Sequence, residues 1–385
     1  MQKPSERLYF IDNLRAFVIF LVILLHTSMS YMVYAPQWWY VLDDQRKIFF
    51  DFVVLLNDVF IMPIMFFAAG YFALPALIRK GSAHFWHSKL RRIVVPWVFG
   101  VLFLAPLIAY MILFSRTDNP PNYISFWFGD FWGAYFQHAI YWFLGVLTMF
   151  YLLLDLAYRI KPNFFQAFDV AENPSPLMFP LFLLLTTGAF CLGHLNFHAD
   201  AWVNLKYLFV IQPTRIGIYI LYFMLGIYSW QRHWFTSSGY RPKLRLWSIL
   251  AIVNGVIFIF YRFAFTNSTD ALIKVGLGFF HAFFCMAISF TLLALFQRYV
   301  DSNAYFWQRL AANSYGIYYI HILILLPSVY LIRLFDISIW LKFGLAFTIT
   351  IVIAFTFLEY ALNNTRRWLI LFKQNKYSFF DYLSK

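Results

Sequence analysis

Ten apolar segments, at about 14–34, 49–78, 93–114, 138–158, 177–193, 207–229, 246–264, 272–296, 310–333 and 338–362, take up most of the sequence and leave little polar chain between them. Each is close to the roughly 20 residues that cross about 30 Å of hydrocarbon. Lipid cannot hydrogen-bond a peptide group, so a crossing segment of this length satisfies its own amides as a helix. The predicted fold is therefore all-α and polytopic, with about ten transmembrane helices. Composition agrees: 62% of residues are hydrophobic and only 12% charged, with a mean hydropathy of +0.66. The polar stretches, 79–92, 115–137, 160–176 and 363–385, are too short for cores of their own. Residues 1–385 read as a single membrane domain, with 363–385 a short cytoplasmic tail.

Orientation follows from the basic residues. With the N-terminus inside, 21 Lys and Arg fall on cytoplasmic pieces and 8 on outer pieces, and Arg215 within a span completes the 30. Both termini are thus expected in the cytoplasm. The net charge of +13 is explained by this bias and by contacts with anionic membrane lipids, and nucleic acid is not expected as a partner. An apolar stretch behind Lys3 and Arg7 resembles a secretory signal, but Arg15 and His26 lie within it and nine further spans follow. Cys191 and Cys285 both fall in predicted spans, which leaves no disulfide framework.

Ionisable residues inside spans usually face a partner or a cavity. In the first segment, "FIDNLRAFVIFLVILLHTSM", Asp12, Arg15 and His26 fall within a stripe about 60° wide at 100° per residue. With the cytoplasmic edge near Leu14, Arg15 sits at the cytoplasmic mouth and His26 about 18 Å in, near the bilayer midplane. One reading is an interfacial anchor plus a core histidine; the other is a polar track leading to a buried base. His321, in "NSYGIYYIHILIL", enters from the same side to roughly 16 Å and favours the second. Asp58 and Arg215 lie toward the outer ends of their spans, where they either pair across a vestibule or snorkel separately. Glu359 reads as an interfacial carboxylate near Arg366 and Arg367. "HFWH" at 84–87 and "HLNFH" at 194–198 with Asp200 have metal-like spacings but too few ligands, so no metal is expected. The aromatic loop 115–137 suits either sugar stacking or interfacial anchoring.

Several of these stretches together resemble the acyltransferase-3 family of integral membrane acyltransferases. "RLYFIDNLRAFVIFLVILLH" is similar to the family's opening, with Arg7, Asp12, Arg15 and His26 at the matching positions. "MFFAAGYF" (65–72) resembles its Phe-Phe-x-x-Ser-Gly-Tyr/Phe, with Ala69 in place of serine. "KLRRIVVPW" (89–97) resembles its basic loop ending in proline. "YWFL" (141–144) is similar to its His-Leu-Trp-Phe-Leu, the histidine being displaced to His138, and "NSYGIYYIH" (313–321) resembles its late Ser-x-Gly-Ile-Tyr-x-x-His.

The resemblance implies transfer of an acetyl or succinyl group from cytoplasmic acyl-CoA to a hydroxyl of a glycan or other cell-envelope acceptor, in a bacterial inner membrane. Within the family the sequence looks closer to the stand-alone branch that includes a glucan-modifying succinyltransferase. His26 is then expected as general base, with His321 orienting it or donating to the oxyanion. Arg15, Lys89, Arg91 and Arg92 are expected to hold the phosphates of the donor, with Asp12 steadying Arg15. Asp58, Arg215 and Trp142 are the expected acceptor contacts. From another class, a proton-coupled transporter or flippase would use the same two histidines as a relay; acyl-CoA turnover separates the two.

Overall fold

The computed structural model describes residues 8–168, 170–265 and 268–382, with side chains described through Ala361. Each of the ten apolar segments contains a helix, although several begin or end elsewhere than the sequence implies. Among the described residues, seven helices are long and apolar enough to cross a membrane, which makes this an all-α polytopic membrane protein. A ribbon of two three-residue strands, β1 (Val203–Leu205) and β2 (Phe209–Ile211), is the one sheet among them.

Helix α1 (Tyr9–Met29) runs through the middle of the bundle, packed by α2 (Ile48–Lys89), α10 (Ala271–Tyr299), α11 (Tyr305–Ile332) and α12 (Ile339–Tyr382). It ends at Met29 rather than near residue 34, because residues 30–47 fold back as a loop. Asp51 accepts the Val33 and Tyr34 amides at 2.8 and 2.9 Å, and the Asp43 amide reaches the Ser30 carbonyl at 3.0 Å. His26 therefore lies in the last turn of α1, close to the loop.

The helical run 48–116 is a hairpin. Its start holds the loop through Asp51, and its end returns to the same loop, where Arg116 donates to the carbonyls of Gln37 and Trp39. The reversal occurs at Gly81, whose φ of 71° lies in the left-handed region that favours glycine. Asp155, on α6 (Trp142–Ile160), pins the bend by accepting Ser82 Oγ at 2.6 Å and Trp86 Nε1 at 2.9 Å. Beyond the bend come α3 (Val95–Phe99) and α4 (Ala105–Arg116). Pro96 and Pro106 lack the N–H that would bond the carbonyls four residues earlier. The helix loosens into π turns at Leu90–Val94 and Gly100–Leu104. The two carbonyls accept side-chain donors instead, Arg92 from the Tyr315 hydroxyl at 2.7 Å and Leu102 from Trp127 Nε1 at 3.1 Å.

Helix α8 (Pro213–Gln231) starts at a proline, the favoured first helical residue. Residues 207–212 are accordingly ribbon and turn, where the sequence implied helix from 207. It packs along α2 at glycines from both helices: a Cβ on Gly70 would overlap the Phe223 carbonyl, and one on Gly226 the Phe67 carbonyl. Small residues let backbones approach closely where lipid supplies little driving force between helices. Helix α5 (Tyr123–Phe128) lies in the loop 115–137 and is capped by Asn122, whose side chain accepts the Ile124 amide. Helices α7 (Met178–His194) and α9 (Leu244–Ala264) complete the bundle. The backbone of α12 stays helical to Tyr382, through most of the segment read as a tail.

Candidate active site

The two histidines singled out in the sequence meet. His26 Nδ1 is 2.9 Å from His321 Nε2, with the ring planes 12° apart. His321 is fully buried, and its Nδ1 lies 2.7 Å from the Tyr318 carbonyl oxygen. A carbonyl only accepts, so the hydrogen-bond pattern assigns the proton of His321 to Nδ1 and a lone pair to Nε2. His26 must then donate from Nδ1, which leaves its Nε2 as the basic nitrogen. Both nitrogens of His321 are engaged, so it has no free N–H for an oxyanion. The indole of Trp39 lies nearly parallel to the His26 ring, 5.6 Å away, and is itself held by a 3.0 Å bond from Nε1 to Ser30 Oγ.

His26 opens into a cavity of about 770 Å³ at the end of the bundle that carries loop 30–47. Asp58, Arg215 and Trp142 line it as well. Asp58 and Arg215 form an ion pair, which decides between pairing and snorkelling. The same guanidinium bonds Asp200 at 3.0 Å, and Asp200 also pairs with Arg262. Asp200 lies in the loop before β1. Burial among protein raises its pKa, but Arg262 and then Arg215 outweigh that and hold the carboxyl below the ordinary carboxylate value. No residue of the aromatic loop 115–137 lines the cavity; its rings pack on one another, as in Phe126 on Tyr135 and Phe131 on Phe136.

At the opposite end of α1, Arg15 is partly exposed and lies 3.5 Å from Asp12. Lys89 rests on the Tyr151 ring at 4.0 Å and feels the charges of Arg15 and Arg92, so these three cations lie near one another. Arg91 and Arg92 are exposed. Arg15 and His26 are eleven residues apart, about 16 Å along the helix. Glu359 pairs with Arg309 and accepts from Asn313 Nδ2 at 2.5 Å, tying α12 to α11; Arg366 and Arg367, its expected neighbours, lie outside the described side chains. Among the described residues no group of three or more His, Cys, Asp or Glu is placed to hold a metal.

Arg15, His26 and the large cavity follow one another along α1, and the family profile described as an acyltransferase domain matches residues 8–359. The chain belongs to the acyltransferase-3 family. This acyltransferase-3 member is 29% identical over 128 residues to the glucans biosynthesis protein C of Salmonella typhi and to that of Salmonella typhimurium, and 28% identical to that of Salmonella schwarzengrund. Each match covers 31% of this chain and 31% of the relative, so the chain spans about a third of the curated relatives it matches. No solved structure matches it.

Within the acyltransferase-3 chain, sequence reasoning missed Trp39, Arg262, and Asp200 in its ion-pair role. Asp200 was visible only beside "HLNFH", in a metal-like spacing with too few ligands, and nothing there marked it as a partner for two arginines.

Proposed function

We propose that this protein is a membrane O-acyltransferase that moves an acetyl or succinyl group from cytoplasmic acyl-CoA to a hydroxyl of a glycan or other cell-envelope acceptor in a bacterial inner membrane. The observation that carries the reading is the hydrogen-bond chain from Tyr318 through His321 to His26, which leaves a free imidazole lone pair facing the cavity. The name of the relatives, glucans biosynthesis protein C, supports a glucan as the acceptor class.

In this scheme the chain crosses the membrane ten times with both ends in the cytoplasm. The donor's phosphates rest on Arg15, Lys89, Arg91 and Arg92, with Asp12 holding Arg15. The acceptor enters the cavity from outside and is oriented by Asp58, Arg215 and Trp142. His26 Nε2 takes the hydroxyl proton as the oxygen bonds the thioester carbon. The carbon–sulfur bond breaks and the CoA thiolate leaves, to be protonated at the cytoplasmic mouth. His321 is a positioning residue that holds His26 in the tautomer a base requires. General-base assistance of this kind is worth typically 10² to 10⁴ in rate.

The test is release of free CoA thiol from acetyl-CoA or succinyl-CoA by purified protein. Wild type should release thiol, His26→Ala should abolish release, and Arg15→Ala should mainly raise the donor KM. A wild type that neither binds nor consumes acyl-CoA would sink the reading and point to proton-coupled transport instead.

A further inference from the structure

The cavity carries an aromatic corner of which the sequence motifs mark only Trp142. Trp202 meets Trp142 edge to face at 5.2 Å and 71°, and Trp38 meets Trp202 at 6.4 Å and 81°. All three line the same cavity as His26. Edge-to-face pairs set neighbouring indole planes near right angles, so two flat apolar walls meet at a corner. Trp202 and Trp142 are half-buried and Trp38 is exposed. Indoles that only anchor a protein in the interface face lipid headgroups, whereas these three face a void.

The charges of the cavity are matched among themselves. Arg215 is taken by Asp58 and Asp200, and Arg262 by Asp200. Both oxygens of Asp51 accept backbone amides. Three carboxylates stand against two guanidiniums on the lining, so no surplus cation is available to an anionic ligand. Carboxylates accept only, and the lone pairs left on Asp58 and Asp200 suit the hydroxyl groups of a ligand that brings donors. Flat apolar walls, hydrogen-bond acceptors and no excess positive charge together fit a ring with an apolar face and a hydroxylated rim.

Resting on the acyltransfer reading of the same cavity, we infer that Trp38, Trp142 and Trp202 with Asp200 form the acceptor subsite, and that it selects an uncharged pyranoside chain over an anionic one. A sugar ring lies in the indole corner, its hydroxyls bond Asp200 and Asp58, and the next ring presents a hydroxyl to His26 Nε2.

Equilibrium binding to the purified full-length chain tests this without any turnover, with a linear neutral oligoglucoside as probe and tryptophan fluorescence as readout. Wild type should bind it saturably, an oligoglucuronide of equal length at least about tenfold more weakly. Trp202→Ala should weaken oligoglucoside binding about tenfold or more, and Trp202→Phe, which keeps a flat ring, should recover most of it. Equal binding of the two sugars, equal binding by Trp202→Ala, or no binding by wild type would overturn the inference. Thiol release from acyl-CoA, measured on the same wild-type sample, reports separately on the acyltransfer reading.

Discussion

The Nδ1 of His321 sits 2.7 Å from the carbonyl oxygen of Tyr318, and this contact decides which nitrogen of His26 keeps its lone pair. Because both residues are on α11, one helical turn fixes the tautomer of a histidine on α1. A side chain at 321 that accepts from His26 Nδ1 should therefore preserve function even without an imidazole.

His321→Gln, whose amide oxygen can accept that proton, is expected to keep kcat within several-fold of wild type. His321→Ala should lower kcat about 10- to 100-fold, less than loss of the base itself, with the donor KM little changed. Steady-state thiol release measures both. Equal losses in the two variants would mean that His321 contributes bulk and not orientation.

The close approach of α2 and α8 gives a stability prediction. Gly70→Ala forces a Cβ into the Phe223 carbonyl, a backbone atom that cannot swing aside. Overpacking of this kind costs about 1 to 3 kcal/mol, and the variant should melt at a lower temperature in detergent. Gly344→Ala, with nothing within 4 Å of the added carbon, is the matched control and should melt with wild type.

The His26 and His321 encounter was legible because helical rise and entry side are properties of single segments: two residues at similar depth on neighbouring helices were bound to lie level. Asp58 and Arg215 were legible only as lying toward the same face, and the ion pair itself chose between pairing and snorkelling. Trp39, Asp200 and Arg262 were not, because two of them sit on loops whose course is set by contacts far away in sequence, such as Asp43 with Ser30 and Thr214 with Ala199. The end of α1 was misread because its apolar run continues past Met29 into "YMVYA", and hydropathy does not register that Asp51 has captured the amides of Val33 and Tyr34.

The Asp200 carboxyl is held below its ordinary value by Arg262 and Arg215. A group whose folded pKa is depressed contributes stability that is present above its unfolded value, about 3.9, and is lost as pH falls through the lower folded value. Wild type should therefore lose melting temperature as pH drops below about 4, and Asp200→Asn should show a shallower dependence there. Asp200 is 47% exposed, toward the cavity, so the effect is screened and modest. Parallel melting curves for the two proteins between neutral pH and the acid limit provide the measurement.

Lys342 and Asp43 form a more deeply buried pair, with side chains 4% and 0% exposed and Nζ 3.3 Å from the carboxylate. Lys342 also donates to the Arg333 carbonyl at 3.1 Å, while Asp43 accepts the Gln45 amide at 2.9 Å. The pair fastens loop 30–47 to α12, and that loop carries Trp39 over His26. Removing one partner leaves the other charge buried without its counterion, which costs about 3 to 5 kcal/mol, whereas replacing both by neutral groups is often close to neutral. Lys342→Met alone should thus lower the melting temperature sharply and reduce thiol release as Trp39 loses its seat, and Asp43→Asn combined with Lys342→Met should recover much of the stability. If the single variant melts with wild type, the pair is not what holds the loop, and the placement of Trp39 must depend on Arg116 and Ser30 instead.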